Sequence, residues 1–219
     1  WQAGNRDAVA RAFEGAAHVT TLDFVVSRVA AAALEPRAAA GEYDRLTGLY
    51  TLYTGIQAPH GLRTMLAEQV FRVPQSRLRV VTGDVGGSFG MRSGVYPELA
   101  LVLWAAKRLG RPVKWTSDRR EGFLSDEHGR DNVSTVELAL DASGKFLALR
   151  VAITLNIGAY LTQRSALPGT NNVGGLAGVY TTPAIHVRTT GVYSNTTPTG
   201  PYRGAGRPEA TYAIERVID

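Results

Sequence analysis

A chain of 219 residues with 44% apolar content can bury one large core or two small ones, and its formal net charge is +5. Cysteine is absent, which excludes disulfides, thiolate nucleophiles, protein-ligated iron–sulfur clusters and cysteine-type zinc sites, so redox chemistry needs a borrowed group. No run of about 18 apolar residues and no basic, apolar, small-residue leader occurs, which gives the expectation of a cytoplasmic protein with no membrane span.

Asn5 is a capping residue, and Val9, Ala12, Phe13 and Ala16 follow at helical spacing, which predicts a short amphipathic helix over 5–17. Residues 18–29 (HVTTLDFVVSRV) are β-branched and alternate loosely, and GEYD at 41–44 and the run 49–53 read as further strand with a turn between. Pro59 suits a first helical turn, and the segment after it sets Leu62, Met65, Leu66, Gln69 and Val70 on one side of a predicted helix. RVVT at 79–82 reads as a short buried strand. Residues 96–109 are apolar almost all round and stop at Gly110, which predicts a buried helix with a glycine cap.

A strand is predicted over 113–116, and two long ones over 132–140 and 146–156 are joined by DASGK, whose residues suit a hairpin turn. Residues 164–184 are rich in Gly, Pro, Thr and Asn without a usable period, and a loop of that length inside a compact domain is either functional or a sign of misassigned elements; it is taken as a functional candidate. Strand resumes over 186–193, and 207–219 read as a helix with Ala210, Tyr212, Ala213, Ile214 and Val217 available for burial. Helices and strands mix without strict alternation, so the expected class is α+β with mixed sheets and packed helices. The polar stretch 121–130 is the candidate subdomain boundary.

The 24 Lys and Arg residues are scattered, and the pair Arg119-Arg120 sits among Asp118, Glu121 and Asp126. A nucleic-acid surface needs a basic stripe with interleaved aromatics, which is missing. His60 and His186 are isolated from each other and from carboxylates at useful spacing, so they read as core or surface residues.

GDVGGSFGMR at 83–92 carries four glycines just after a strand. The dinucleotide fingerprint fails, because position 85 is valine when the motif is aligned to end at Gly90, and the phosphate-binding P-loop pattern fails too. Two readings remain from the residues themselves. The glycines either supply positive φ in a tight strand-to-helix connection, or they bare backbone amides toward an anionic ligand. Phe89, set between glycines, is not explained by turn geometry. A second loop of the same kind, GPYRGAGRPEA at 200–210, leads straight into a helix, and two such loops can converge on one ligand.

EPRAAAGEYD at 35–44, TGIQAPHGLR at 54–63, DVGGSFGMR at 84–92, RPVKWTSDRRE at 111–121, NIGAY at 156–160 and PYRGAGRPEATYAIERVID at 201–219 together resemble the large, molybdopterin-binding subunit of the molybdenum hydroxylases. That family includes xanthine dehydrogenase, aldehyde oxidase and aerobic carbon monoxide dehydrogenase. The resemblance is collinear over nearly the whole chain. It is similar to the bacterial carbon monoxide dehydrogenase-like members, which carry Ala-Tyr-Arg-Gly-Ala-Gly-Arg where this chain has Pro201 in place of the alanine.

The resemblance implies part of a hydroxylase that oxidises an aldehyde, an N-heterocycle or a similar small molecule with water as the oxygen source. It implies a molybdenum–molybdopterin cofactor, in the cytosine dinucleotide form, with iron–sulfur and FAD groups on partner subunits. Gln57 and Arg203 are the implied catalytic residues, Gln57 donating a hydrogen bond at the molybdenum centre. Gly86, Gly87, Ser88, Phe89, Gly90, Gly204 and Ala205 are the implied cofactor-binding residues. No protein side chain is expected to bind the metal. Ala205 stands where purine-oxidising members have a stacking phenylalanine, which argues against a purine substrate. Carbon monoxide oxidisers hold copper through a cysteine in the second loop, which this chain lacks.

Glu35 reads as part of a structural ion pair, since the general base of the family lies late in the full subunit. That subunit is several times longer, so partners are expected to include the rest of the large subunit, and these 219 residues alone are expected to be inactive. The alternatives carried are a non-catalytic docking domain, a carbon monoxide dehydrogenase-like activity, and a generic anion- or nucleotide-binding domain.

Overall fold

The computed structural model describes residues 1–170 and 173–219. In chain order come strand β1 (Gln2–Gly4), helix α1 (Arg6–Glu14), strands β2 (His18–Val26), β3 (Val29–Ala30), β4 (Ala38–Asp44) and β5 (Leu49–Thr54), and helix α2 (Pro59–Met65). A π-helical turn (Leu66–Phe71), strand β6 (Leu78–Val81), helix α3 (Pro97–Leu109), strand β7 (Val113–Thr116) and helix α4 (Arg119–Ser125) follow. Strands β8 (His128–Gly129), β9 (Asn132–Leu140) and β10 (Phe146–Gly158), helix α5 (Leu167–Thr170), strand β11 (Ala184–Tyr193) and helix α6 (Arg207–Ile218) complete the chain. The class is α+β, as expected.

Two compact units divide the chain, one built from Trp1–Val29 and Glu127–Asp219, the other from Ala30–Asp126. The first holds a five-stranded sheet in the order β1-β11-β10-β9-β2. The β9–β10 hairpin closes through Asp141, whose carboxylate accepts from the Ser143 hydroxyl and from the backbone N–H groups of Lys145 and Ser143. The Ser143 bond first, and the two amides after it, hold the Asp141 carboxyl below the usual carboxylate range.

Alternation along β9 and β10 divides the core between the two sheet faces. Val136, Leu138, Leu149 and Val151 meet Ala210, Ala213, Ile214 and Val217 of α6. Ala139 and Ala148 meet Val9 of α1 on the opposite side. Helix α1 begins at Asn5, whose side chain accepts from Ala8 N at 3.0 Å.

Strands β10 and β11 are parallel, and a parallel pair needs a long crossover. That requirement accounts for most of 164–184. Instead of a free functional loop, the stretch contains α5 and a short helical turn at Val173–Ala177, and Leu176 is buried in the α6 core. Asn171 and Asn172 of that stretch lie outside the described residues.

The second unit holds a four-stranded sheet in the order β6-β5-β4-β7, with α3 packed on β4 and β5. Its core joins Ala39, Tyr50 and Leu52 to Leu62, Leu66, Leu99, Val102 and Leu103. Three expectations are corrected here. The helix after Pro59 opens into a π turn at Leu66, and the wider winding rotates the face, so Ala67 and Phe71 pack inward while Gln69 and Val70 face out. Strand β6 is an edge strand whose Leu78 enters the core while Arg79 is exposed and Val80 and Val81 are only partly covered, so the segment 79–82 is not buried as expected. Helix α3 has a sheet on one side only, which leaves Leu101 and Trp104 more than half exposed, at 56% and 54%.

One further correction concerns α6, where Tyr212 lies at the surface, its ring meeting Phe24 edge-on at 5.1 Å. Helix α4 starts where Asp118 accepts from Glu121 N at 2.8 Å, so the first residues of the polar stretch 121–130 are helical.

Gly41 of β4 lets the α3 backbone lie directly on the strand, since a Cβ there would come within 2.7 Å of Val102 O. Gly41→Ala is expected to lower stability by about 1–3 kcal/mol, the range for overpacking a filled core, read from urea unfolding midpoints at unchanged slope.

Candidate functional site

Glu35 and Arg92 hold the first glycine loop. Gly86 N–H donates to Glu35 Oε2 at 2.6 Å, and Glu35 N–H donates back to the Gly86 carbonyl at 3.1 Å. Arg92, at 1% exposure, lies beneath. Its Nη1 reaches Glu35 Oε2 at 3.1 Å, and its Nη2 donates to the carbonyls of Glu35 and Pro36. Glu35 is therefore a structural ion-pair partner, as its sequence context predicts. Two glycines make the arrangement possible by lacking side chains: a Cβ at Gly55 would sit 2.5 Å from Arg92 Nη1, and one at Gly86 would sit 2.4 Å from Glu35 Cβ.

Two more arginines fasten the strip before β4. Arg119 donates to the Ala33 and Leu34 carbonyls at 2.7 and 2.6 Å. Arg37 pairs with Asp126 at 2.5 Å and Glu98 at 3.0 Å, with Tyr96 3.7 Å beneath its guanidinium. Burial by itself pulls the Arg37 pKa down, but the hydrogen bonds to Glu98 and Asp126 outweigh it, so the group titrates above the ordinary arginine value.

On this base the loop turns through left-handed backbone at Gly87, Phe89 and Gly90, with φ of 108°, 54° and 105°. Phe89 is the costly one. A non-glycine residue there stores about 1–2 kcal/mol, and such outliers gather at functional sites. Its ring folds over Gly87, where an added Cβ would meet Phe89 Cε2 at 3.0 Å, yet stays 38% exposed. The N–H groups of Gly87, Ser88 and Gly90 find no acceptor among the described residues.

Gln57 stands beside them. Its backbone N–H donates to the Arg92 carbonyl at 3.0 Å, so the Arg92 anchor also places Gln57. The Ser88 hydroxyl donates to Gln57 Oε1 at 2.8 Å. With its oxygen engaged, the Gln57 amide offers its Nε2 hydrogens outward from an exposed side chain.

In the other unit, the second loop runs through left-handed Gly204, Ala205 and Gly206, with φ of 82°, 46° and 100°, into α6. One arginine organises it. Arg130 donates from Nη1 to the Tyr202 carbonyl at 2.8 Å and from Nη2 to the Arg203 carbonyl at 2.9 Å. It also pairs with Glu209 in the first turn of α6 at 3.2 Å. Gly129 admits Tyr202, since a Cβ there would lie 2.2 Å from the tyrosine Cβ. The Arg203 side chain is exposed.

Gln57, Gly86, Gly87, Ser88, Phe89 and Gly90 thus belong to the unit Ala30–Asp126, and Arg203, Gly204 and Ala205 to the other. Arg92 and Arg130 escaped the sequence reading. Arg92 closes the glycine motif itself, a visible signal, whereas Arg130 lies 72 residues from its first carbonyl partner and has no local mark.

The donor set suits an anionic ligand rich in oxygen. Among the described residues no three His, Cys, Asp or Glu side chains group to hold a metal ion. Among the described residues no helix is long and apolar enough to cross a membrane.

Arg92→Met removes the donor for two carbonyls and strands the Glu35 carboxylate, which keeps partial contact with water. The expected loss is about 2–3 kcal/mol, below the usual figure for an opened buried pair because Glu35 is 41% exposed. Chemical unfolding measures it, and faster amide exchange confined to 83–92 locates it.

Residues 1–219 match the family model described as "Molybdopterin cofactor-binding domain". The chain is 37% identical over 209 residues to the 6-hydroxypseudooxynicotine dehydrogenase complex subunit gamma of Paenarthrobacter nicotinovorans, covering 95% of this chain and 26% of that one. It is 36% identical over 225 residues to the carbon monoxide dehydrogenase large chain of Hydrogenophaga pseudoflava, covering 100% and 28%. The solved quinoline 2-oxidoreductase from Pseudomonas putida 86 superposes with a TM-score of 0.92 at 34% identity, covering 100% of this chain and 28% of that one. The reconstituted CO dehydrogenase from Oligotropha carboxidovorans gives a TM-score of 0.92 at 33% identity, covering 99% and 27%. The chain spans about a quarter of the length of the curated relatives it matches. By sequence over its full length and by fold, the chain belongs to the molybdopterin cofactor-binding domain family.

Proposed function

We propose that this chain is the part of a molybdenum hydroxylase large subunit that supplies two glycine loops to the molybdopterin cofactor. The observation that carries the reading is the hydrogen bond from Ser88 to Gln57. The Ser88 bond fixes which end of the amide is oxygen and leaves the Nε2 hydrogens for another acceptor, and hydrogen-bond donors are what an oxygen-bearing metal centre accepts. Bound there, the cofactor supplies the two-electron redox chemistry that no side chain of this cysteine-free sequence supplies.

The chain's own residues bind and orient. Gly87, Ser88 and Gly90 aim amides at acceptor oxygens, and the Phe89 ring gives an apolar wall that thins the water around them. Gln57 donates at the metal centre. Arg203 and Gly204 contribute backbone donors from the second loop, with the Arg203 side chain adding positive charge. Ala205 is small and leaves room for a ring that is not clamped by stacking.

A substrate with an electron-poor carbon in an N-heterocycle fits this reading, and the name of the similar quinoline 2-oxidoreductase favours it over an aldehyde. Copper-assisted oxidation of carbon monoxide ranks second, because the second loop, 200–210, carries no cysteine to hold copper. The reading carries with it the cytosine dinucleotide form of the cofactor, iron–sulfur and flavin partner subunits, the remainder of the large subunit, and a cytoplasmic location.

In the complete enzyme, metal analysis is expected to find about one molybdenum per copy, and Gln57→Ala is expected to lower kcat/KM by about 10²–10³-fold with the metal retained, as for loss of one preorganised donor. An enzyme with neither molybdenum nor pterin, which still binds its partner subunits, would overturn the proposal in favour of a docking domain. Ser88→Ala is expected to cost about threefold to tenfold in kcat at nearly constant KM, since it frees the Gln57 amide to rotate without removing it.

A further inference from the structure

The carbonyl groups of Tyr202 and Arg203 both point at the Arg130 guanidinium. In a trans peptide the following N–H points the opposite way. The Tyr202 carbonyl also accepts from Ala205 N–H at 2.8 Å, so the turn and the fork together set the first peptide plane and the fork sets the second, turning the N–H groups of Arg203 and Gly204 to the side away from Arg130. Two adjacent amides facing one way form the kind of concavity that takes an anionic oxygen.

Arg130 is itself held with unusual care. Arg130 and Asp131 both sit in left-handed backbone, with φ of 65° and 66°. Neither is glycine, so the surroundings must enforce the conformation. Asp131 is gripped by Arg28 Nη2 at 2.7 Å and by Asn156 Nδ2 at 2.8 Å, and its N–H donates to the Val26 carbonyl at 3.1 Å. The Nη1 that donates to Tyr202 also meets Glu209 Oε1 at 3.2 Å, with both side chains nearly buried. The other oxygen of that carboxylate is buried with no hydrogen-bond partner. A surface arginine needs none of this.

We propose that Arg130 is the positioning residue of the second glycine loop: its fork orients the Tyr202–Arg203 and Arg203–Gly204 peptides so that their N–H groups meet an acceptor oxygen of the cofactor. That the acceptor is the cofactor rests on the function proposed above; that Arg130 sets the two peptide planes does not. A lysine carries the charge but cannot span two carbonyls as a fork does.

The test uses the complete enzyme with Arg130→Lys and Arg130→Ala. Hydrogen exchange of a peptide covering 200–207 is expected to be about tenfold faster in both variants, while a peptide covering 83–92 keeps its wild-type rate. Turnover should show a fall in kcat with KM nearly unchanged. Added guanidinium ion, but not methylammonium, should restore kcat to Arg130→Ala. Unchanged exchange over 200–207 would overturn the placement, and rescue by neither cation, or equally by both, would overturn the fork. If the wild-type enzyme holds no molybdenum, the functional reading fails, while the exchange result still decides whether Arg130 orients the loop.

Discussion

A single guanidinium, that of Arg92, carries the first glycine loop and much of what surrounds it. Glycine loops are cheap to bend and costly to hold, because they lose more backbone freedom on ordering than any other segment. Arg92 meets that cost from beneath: it satisfies the carbonyls of Glu35 and Pro36, binds the Glu35 carboxylate, and through its own carbonyl seats Gln57. A buried charge is tolerated only when paired and hydrogen-bonded, and here the pairing partner is itself the clamp on Gly86. Charge burial and loop order are one arrangement.

The same solution is used in the other unit with different residues. Arg130 satisfies two carbonyls and pairs with Glu209, as Arg92 satisfies two carbonyls and pairs with Glu35. Arginine suits this task and lysine does not, since a planar fork can bridge neighbouring acceptors while keeping its charge when buried. The low count of usable side chains in both loops is then a requirement. Gly55, Gly86 and Gly129 are places where the clamp or its cargo occupies the volume of a Cβ.

Of the six non-glycine residues in left-handed backbone among the described residues, Phe89, Arg130, Asp131 and Ala205 lie in the two loops or their supports, and Ala32 and Arg72 lie outside them. Strain of this kind persists only where the surroundings over-determine it. Around Phe89 the determinants are Arg92, Glu35 and two flanking glycines; around Arg130 they are Arg28, Asp131, Asn156 and Glu209.

What the sequence by itself determined is whatever depends on near neighbours. The Asp141 turn with the hairpin it joins, the Asn5 cap and the Gly110 stop are set within a few residues, and each is present. The family was legible too, because its motifs are short and collinear. The inward face of the segment after Pro59 was not, since a π turn adds a residue to the winding and no period in the residues announces it. Burial of α3 was overestimated from composition, as apolar side chains also face outward wherever only one side is covered. The partners of Arg92, Gln57 and Arg130 lie 57, 31 and 72 residues away, and only the tertiary structure brought them together. An ion pair or a side-chain hydrogen bond needs two groups within about 3 Å in a fixed orientation, and that proximity is a property of the folded chain, which no local pattern encodes.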